Sequence, residues 1–368
     1  MSSPSSPSRC YKIATIPGDG IGIELTQSTL QVLNRLASLT NIQLEFGHFD
    51  WSSAKYHERG WYMPSDGITQ LREYDAVFFG AVGWPDVPDH ISLWELILPI
   101  RKSMNQYVNV RPTRILPGTV SPLRNCQPGD LDWVIVRENS EGEYAGQGGI
   151  THAAPYSIAT EVAVFTYPGI ERVMRFAFET ARSRPKKHLT LVTKSNAQRY
   201  GMVLWDSVFY DVAKEYPDVR TDKMLVDAMT VRMTRNPKSL DTIVATNLFG
   251  DILSDLAAGL SGSIGIAASS NLDPTRKNPS MFEPISGSAP DIAGQGIANP
   301  IGAFWSAAEM IRWVGDGKLD LEADMLMKAI ENVTAAGIKT RDLGGECNML
   351  DVTEAICGEM DRISSEAK

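Results

Sequence analysis

The clearest chemistry in the chain lies in Asn247-Leu-Phe-Gly-Asp-Ile-Leu-Ser-Asp255. This stretch follows Asp241-Thr-Ile-Val-Ala-Thr246, whose β-branched and apolar residues predict a buried strand, and it runs into Leu256-Ala-Ala-Gly-Leu260. The pattern predicts a strand, a tight glycine turn and a helix. On such a helix Asp251 and Asp255 stand one turn apart on a single face, where like charges repel by up to roughly 0.5 kcal/mol. A divalent cation between them removes that cost. Paired hard oxygen donors with few other protein ligands suit Mg²⁺ or Mn²⁺. A solvated acidic face is the ordinary alternative for D-x-x-x-D. Burial of Ile252, Leu253 and Leu256, and a position directly after a strand, favour the metal.

Three arginines lie at or near the ends of successive predicted elements: Arg101 in a helix-like segment from Ser92 to Met104, Arg111 at the end of a strand stopped by Pro112, and Arg137 where the strand from Leu131 enters a polar loop reaching Tyr144. A planar guanidinium binds carboxylates bidentately and stays charged when partly desolvated. Any one of these arginines reads equally well as a surface residue; their shared position at element ends points to an anion pocket. Lys194 directly follows the strand His188 to Thr193, a placement suited to base chemistry, although capping is the commoner task there. Asp227 is a third acidic residue after extended sequence from Val219 to Val226.

The elements that hold these residues alternate. Tyr11 to Ile16 reads as a first strand, Pro17-Gly-Asp-Gly-Ile-Gly22 as a turn, and Leu25, Leu30, Leu33 and Leu36 as the apolar face of a helix. The glycine spacing is neither G-x-G-x-x-G nor a Walker A loop; it describes a turn that lets backbone approach a ligand, or equally a plain strand-to-helix turn. Strands are predicted at Ile42 to Phe49, Asp75 to Val82 and Ile158 to Phe165. Helices are predicted at 168–182, 198–216, 300–314, 321–334 and 349–360. This alternation predicts an α/β protein with a largely parallel sheet flanked by helices.

Composition narrows the function. The chain has 368 residues, 43% apolar and 21% charged, with a formal net charge of -9, which suits a soluble globular protein and argues against nucleic acid or anionic membrane as a partner. Cys10, Cys126, Cys347 and Cys357 are scattered, so neither a zinc site nor a disulfide framework is indicated. No apolar run reaches membrane-spanning length, and the opening Met1-Ser-Ser-Pro-Ser-Ser-Pro-Ser-Arg9 has no apolar core for secretion. A cytoplasmic protein with a short disordered tail is expected.

Seven ordered motifs, Pro17 to Gly22, Arg101, Asn109-Val-Arg111-Pro, Arg137-Glu-Asn-Ser-Glu-Gly-Glu-Tyr144, Thr193-Lys-Ser-Asn196, Asn247 to Asp255 and Gly287-Ser-Ala-Pro-Asp-Ile-Ala-Gly294, span nearly the whole chain. On these residues the sequence resembles the β-decarboxylating dehydrogenases acting on isopropylmalate, isocitrate, D-malate and tartrate. The resemblance implies a two-domain fold of the isopropylmalate dehydrogenase type, with 1–106 and 263–368 forming the first, cofactor-binding domain and 107–262 the second. It also implies an active site in the cleft between them and a homodimer whose sites are shared.

Carried over by position, Arg101, Arg111 and Arg137 would hold substrate carboxylates. Asp251 and Asp255 would bind Mg²⁺ or Mn²⁺ together with Asp227 from the partner subunit. Lys194, also from the partner, would take the hydroxyl proton as hydride leaves for NAD⁺, and Tyr144 would protonate the enol left by loss of CO₂. Asn196, Glu283, Gly287, Ser288, Ala289, Asp291 and Asn299 would contact the cofactor, and a carboxylate at Asp291 favours NAD⁺ over NADP⁺. Trp94, with its Gly80-Ala-Val-Gly-Trp-Pro-Asp86 surroundings, looks like the D-malate and tartrate branch, its indole leaving room only for hydrogen or hydroxyl at C3; core packing is the ordinary alternative.

Three departures accompany the resemblance. Ile23 replaces the usual proline at the start of the first helix, Ser286 the usual histidine beside the adenosine, and Pro99 is expected to bend or shorten the specificity helix. A 3-substituted malate dehydrogenase and a catalytically silent regulatory subunit are the alternatives these departures keep open.

Overall fold

The computed structural model describes residues 9–366. The segment 1–8, which holds most of the expected tail, lies outside the described residues.

The strands are β1 (Cys10–Gly18), β2 (Gln43–His48), β3 (Ala76–Ala81), β4 (Val108–Arg114), β5 (Asp132–Glu138), β6 (Gly142–Thr151), β7 (Ile158–Val164), β8 (His188–Thr193), β9 (Arg220–Leu225), β10 (Thr242–Ala245), β11 (Ala268–Leu272) and β12 (Ser280–Pro284). Ten of them form one sheet in the order β2-β1-β3-β12-β11-β4-β5-β10-β8-β9, while β6 and β7 make a separate hairpin. Both wings of the large sheet are parallel, as expected. Its middle, from β12 through β11 and β4 to β5, is antiparallel. The link from β11 to β12 is too short for a crossover, which needs a dozen or more residues, so those two strands must turn back on each other.

Helices α1 (Ile21–Leu39), α10 (Ile301–Gly315), α11 (Asp320–Ala335) and α12 (Met349–Glu366) pack together, with α1 and α10 against β1, β3, β11 and β12. Helices α6 (Tyr167–Ser183), α7 (Gly201–Ala213), α8 (Val226–Arg235) and α9 (Asn247–Ser261) pack against β5, β8, β9 and β10. Short α2 (Ser53–Arg59) and α3 (Gly67–Leu71) precede β3, and α4 (Asp89–Ser92) runs through a π turn, Leu93–Ile97, into α5 (Leu98–Ser103). Strands β3, β8, β10, β11 and β12 are buried along their whole length, which explains the unbroken apolar runs of β3 and β10; β11 and β12, which carry polar residues and were not expected as strands, are buried as well.

Several expectations are corrected. Pro112 does not stop its strand: β4 continues to Arg114 because β11 pairs only as far as Val110, so past that point one side of β4 lacks a partner and no N–H is required there. Pro99 does not shorten its helix. The turn before it widens instead, Leu98 N bonding Leu93 O across five residues, which absorbs the missing donor and the ring's bulk. The polar loop after β5 is short, residues 139–141, with strand β6 taking over from Gly142, and α8 begins at Val226, so Asp227 sits in a helical first turn. There is no glycine turn before α9: Thr246 caps the helix by accepting from Phe249 N, and Gly250 lies within it.

The Pro17 to Gly22 turn does serve a close approach, and what approaches is the chain itself. Ile21 N donates to Ser288 O at 2.9 Å, and a Cβ on Gly20, whose φ is 57°, would lie 2.0 Å from that oxygen. Gly20→Ala should cost about 1–3 kcal/mol, from the forbidden backbone region and the forced retreat of the Ser288 loop. Denaturant unfolding of the variant beside the parent measures it.

Candidate active site

Sheet register assembles the site. One line across the sheet pairs Met281 with Asn271, Asn271 with Asn109, Asn109 with Arg137 and Arg137 with Ala245. Arg111 lies two residues along β4 from Asn109, on the same face. Helix α9, launched just past Ala245, then lays its Asp251 and Asp255 face over these arginines.

The charges interlock. Arg137 is 2% exposed; its Nε and Nη2 both donate to Asn247 Oδ1, at 3.0 and 2.7 Å, and its Nη1 to Asp251. Arg111 spans both helix carboxylates, Nη2 lying 3.3 Å from Asp251 Oδ1 and Nη1 3.4 Å from Asp255 Oδ1. Its Nη1 also donates to Ser254 Oγ at 2.6 Å and its Nε to Asn109 Oδ1 at 2.8 Å. Arg101 pairs with Glu283 at 2.8 Å, leaving its buried Nε without a partner. Tyr144 donates to Asp251 Oδ2 at 3.4 Å, and the Arg137 guanidinium lies 5.5 Å from the Tyr144 ring centre.

Ionisation follows this layout. Burial, with Arg111 adding to it and Asp251 opposing, brings the Arg137 guanidinium down to about 10. Burial opposes ionisation of Asp251, yet Arg137, Arg111 and Arg101 outweigh it and hold the carboxyl below its ordinary value. Asp255 goes the other way: burial and the Asp251 charge raise it against Arg111. Burial and Asp251 likewise raise the Tyr144 hydroxyl, keeping it a proton donor.

Gly250 shows why α9 carries a glycine in its first turn. A Cβ there would lie 2.7 Å from both Cβ and Cγ of Arg137. The helix is therefore seated directly on the arginine. Ile252, expected to be buried, is 56% exposed and faces outward.

Arg101, Arg111, Glu283 and Gly287 line one cavity of about 160 Å³. A neighbouring cavity of about 400 Å³ is walled by Trp84, Leu93, Gly287, Ser288 and Pro290. The loop they share bends through positive φ at Gly287 and Ala289, and Ser286 Oγ is buried beside it with no partner. Asp291 is exposed, and Asn299 donates to Asp342 at 2.9 Å while accepting from Ile301 N at 3.0 Å. Trp94 is 37% exposed, which removes the core-packing alternative. Its ring abuts Gly146, where a Cβ would meet Cζ3 at 2.8 Å, and Lys102 Nζ lies 4.9 Å from its centre.

Three expected site residues stand apart. Lys194 donates to Asp227 at 2.6 Å, and Asn196 is exposed on the loop that follows. Among the described residues of one chain no group of three metal-ligating side chains forms, so Asp227 does not join Asp251 and Asp255 within a protomer.

Sequence reading missed Asn109, Asn139, Asn247, Ser254, Asn271 and Asp19. The last accepts from Ser53 N at 2.7 Å, Ser53 Oγ at 2.6 Å and Gly83 N at 2.9 Å, tying three loops together. Asn109 was readable from its i, i+2 spacing to Arg111, and Asn271 from its place in a polar Ser-Ser-Asn run inside an otherwise buried strand. Asn247 and Ser254 announce nothing until the helix is packed on Arg137 and Arg111.

An α/β protein with paired helix carboxylates over three buried arginines has the fittings of a carboxylate-binding enzyme that also uses a dication. The comparisons make the class specific. The family model for isocitrate/isopropylmalate dehydrogenase matches residues 12–360, and the chain belongs to that family of decarboxylating dehydrogenases. It is 59% identical to a probable tartrate dehydrogenase/decarboxylase of Agrobacterium vitis over 351 residues, covering 95% of this chain and 97% of the relative. It is 46% identical to the decarboxylating D-malate dehydrogenase of Escherichia coli over 354 residues, covering 95% and 98%. The crystal structure of isocitrate dehydrogenase from Methylococcus capsulatus superposes with a TM-score of 0.85 at 34% identity, covering 95% of this chain and 99% of that one.

Asn247→Ala strands two donors of a buried guanidinium and should destabilise the protein by about 1–3 kcal/mol. Urea unfolding checks this.

Proposed function

We propose that this protein oxidises a small 2-hydroxy diacid of the D-malate or tartrate type with NAD⁺ and Mg²⁺ or Mn²⁺, releasing CO₂. The convergence of Arg101, Arg111 and Arg137 on the Asp251 and Asp255 face carries this reading. The names of the relatives support it, as do the motif residues, none of which is missing as a silent subunit would require. The indole of Trp94, held against Gly146, narrows the space at C3 and favours the small diacid over a 3-alkylmalate.

The residues fit the cofactors. Two hard carboxylates one helical turn apart leave room for water, substrate and a further ligand, the donor set that suits Mg²⁺ or Mn²⁺. The Gly287 to Asp291 loop, with its orphaned Ser286 Oγ and the adjoining cavity, offers a cradle for a dinucleotide. When bound, NAD⁺ accepts the hydride and the dication withdraws electrons from the substrate's oxygen. Arg101, Arg111 and Arg137 orient the two carboxylates, exchanging their present carboxylate partners for those of the substrate. Lys194 takes the hydroxyl proton, and Tyr144, kept protonated by burial and Asp251, returns one to carbon after CO₂ leaves.

Lys194 and Asp227 reach the site from the partner in a homodimer. Three observations support this. The β6–β7 hairpin is exposed nearly throughout, and a two-stranded hairpin is marginal alone. Ile150, Tyr156, Val231 and Ile252 are exposed apolar residues of the same half. Within one chain the acidic triad is incomplete. The domain division follows the same seam, with 1–106 and 263–368 on one side and 107–262 on the other.

NADH absorbance with D-malate, L-tartrate and 3-isopropylmalate tests the activity; turnover confined to 3-isopropylmalate would reverse the substrate assignment, and a chelator should abolish the signal. Trp94→Ala should shift kcat/KM toward 3-isopropylmalate relative to tartrate by about tenfold or more. Lys194→Ala and Asp251→Asn should each be inactive, yet dissociated and reassociated together they should recover about a quarter of parent activity, because half the dimers are hybrids with one intact site of two. No recovery would mean that each site draws on a single chain.

A further inference from the structure

Arg101 comes from α5 and Arg111 from β4, yet a continuous chain of buried side chains joins them. Arg101 Nη2 donates to Glu283 Oε1 at 2.8 Å, and the same oxygen accepts from Asn271 Nδ2 at 2.7 Å. Asn271 Oδ1 accepts from Asn109 Nδ2 at 2.9 Å, and Asn109 Oδ1 accepts from Arg111 Nε at 2.8 Å. Asn271 is fully buried, and its amide is saturated. Nδ2 also donates to Met281 O at 3.3 Å, and Oδ1 also accepts from Asn139 Nδ2 at 2.9 Å.

The chain has a direction, and Glu283 sets it. A carboxylate only accepts, so the Asn271 amide must turn its nitrogen toward Glu283 and its oxygen toward Asn109 and Asn139. Asn109 must then offer its nitrogen to that oxygen, and it also donates to Ser269 Oγ at 2.8 Å. Its own oxygen is left for Arg111. Turning any one amide over sets oxygen against oxygen and replaces satisfied partners with opposed ones.

We propose that Asn271 is a positioning residue for the substrate carboxylates: it passes the orientation of Glu283 to Asn109 and thereby holds Arg101 and Arg111 in register from two separate elements. This rests on the reading that these arginines bind the hydroxydiacid. Strand register alone places the three residues near each other; the donor and acceptor order makes them a unit.

Asn271→Asp keeps the shape and removes the donor, setting two carboxylates face to face. Asn271→Leu keeps the volume and removes donor and acceptor together without adding charge, so the Asn109 and Asn139 amides lose the group that orders them. With the diacid that the parent turns over fastest, N271D and N271L should each raise KM about tenfold or more with a smaller change in kcat. The KM for NAD⁺, followed in parallel, separates loss of the arginine pair from loss of the cofactor.

An N271D enzyme with KM within about twofold of the parent overturns the relay, as does an N271L enzyme with KM within the same range. A lowered melting temperature with unchanged KM also overturns it. If N271D does not fold, N271L decides by the same thresholds. A parent that neither turns over nor binds L-tartrate by calorimetry with Mn²⁺ ends the functional reading and the relay with it; an active parent beside an unaffected N271D ends only the relay.

Discussion

Three guanidinium groups inside one pocket repel each other, and the fold is built so that carboxylates meet them from different elements. Glu283 arrives on β12 and takes Arg101; Asp251 and Asp255 arrive on α9 and take Arg111 and Arg137. Removing either side would leave uncompensated buried charge, which is costly. The sheet's mixed middle makes this arrangement possible. Antiparallel pairing of β11, β4 and β5 brings Asn271, Asn109 and Arg137 abreast, and the parallel pairing of β5 with β10 sets Arg137 beside the strand that launches α9.

The same arrangement accounts for reactivity as well as stability. The guanidinium groups are deeply buried, whereas Asp251 and Asp255 keep 38% and 54% of their side-chain surface exposed. The cations are therefore fixed and the anions are the accessible side of each pair. Under the proposed function, an incoming dicarboxylate would find the positive groups already desolvated and oriented, and would displace only the accessible carboxylates. The saturated amides of Asn271 and Asn109 supply the rigidity that charge pairs alone do not, because each has a single satisfying orientation.

Much of this was legible in the sequence. Motif order gave the family, β3 and β10 announced themselves as unbroken apolar runs, and the D-x-x-x-D face was correctly set on one helix, whereas β11 and β12, with Ser and Asn or Ser and Glu inside them, gave no strand signal. The failures have common causes. Pro112 was read as a stop and Pro99 as a bend or shortening because proline's lost donor is a local matter, while what replaces the missing bond is decided by a neighbouring strand or a widened turn. Gly250 was read as a turn because glycine usually marks one, whereas here it lets a helix sit on Arg137. Ile252 was placed in the core by its apolar character, and its exposure belongs to a face of α9 that helical periodicity alone does not assign. Asn247, Ser254 and Asn271 gain meaning only from residues more than a hundred positions away or from a strand's paired neighbours, information that no local pattern holds.

The widened turn ahead of Pro99 has an evolutionary implication. Trp94 and Arg101 share a helix, but the extra residue in that turn rotates the indole relative to the arginine by about 100° compared with an uninterrupted helix. Loss of a single residue there would swing whatever stands at position 94 around the axis without disturbing Arg101. Under the proposed function, such a segment would let a lineage re-aim its selectivity by changing length, while the arginine assigned to the substrate carboxylate stays where it is.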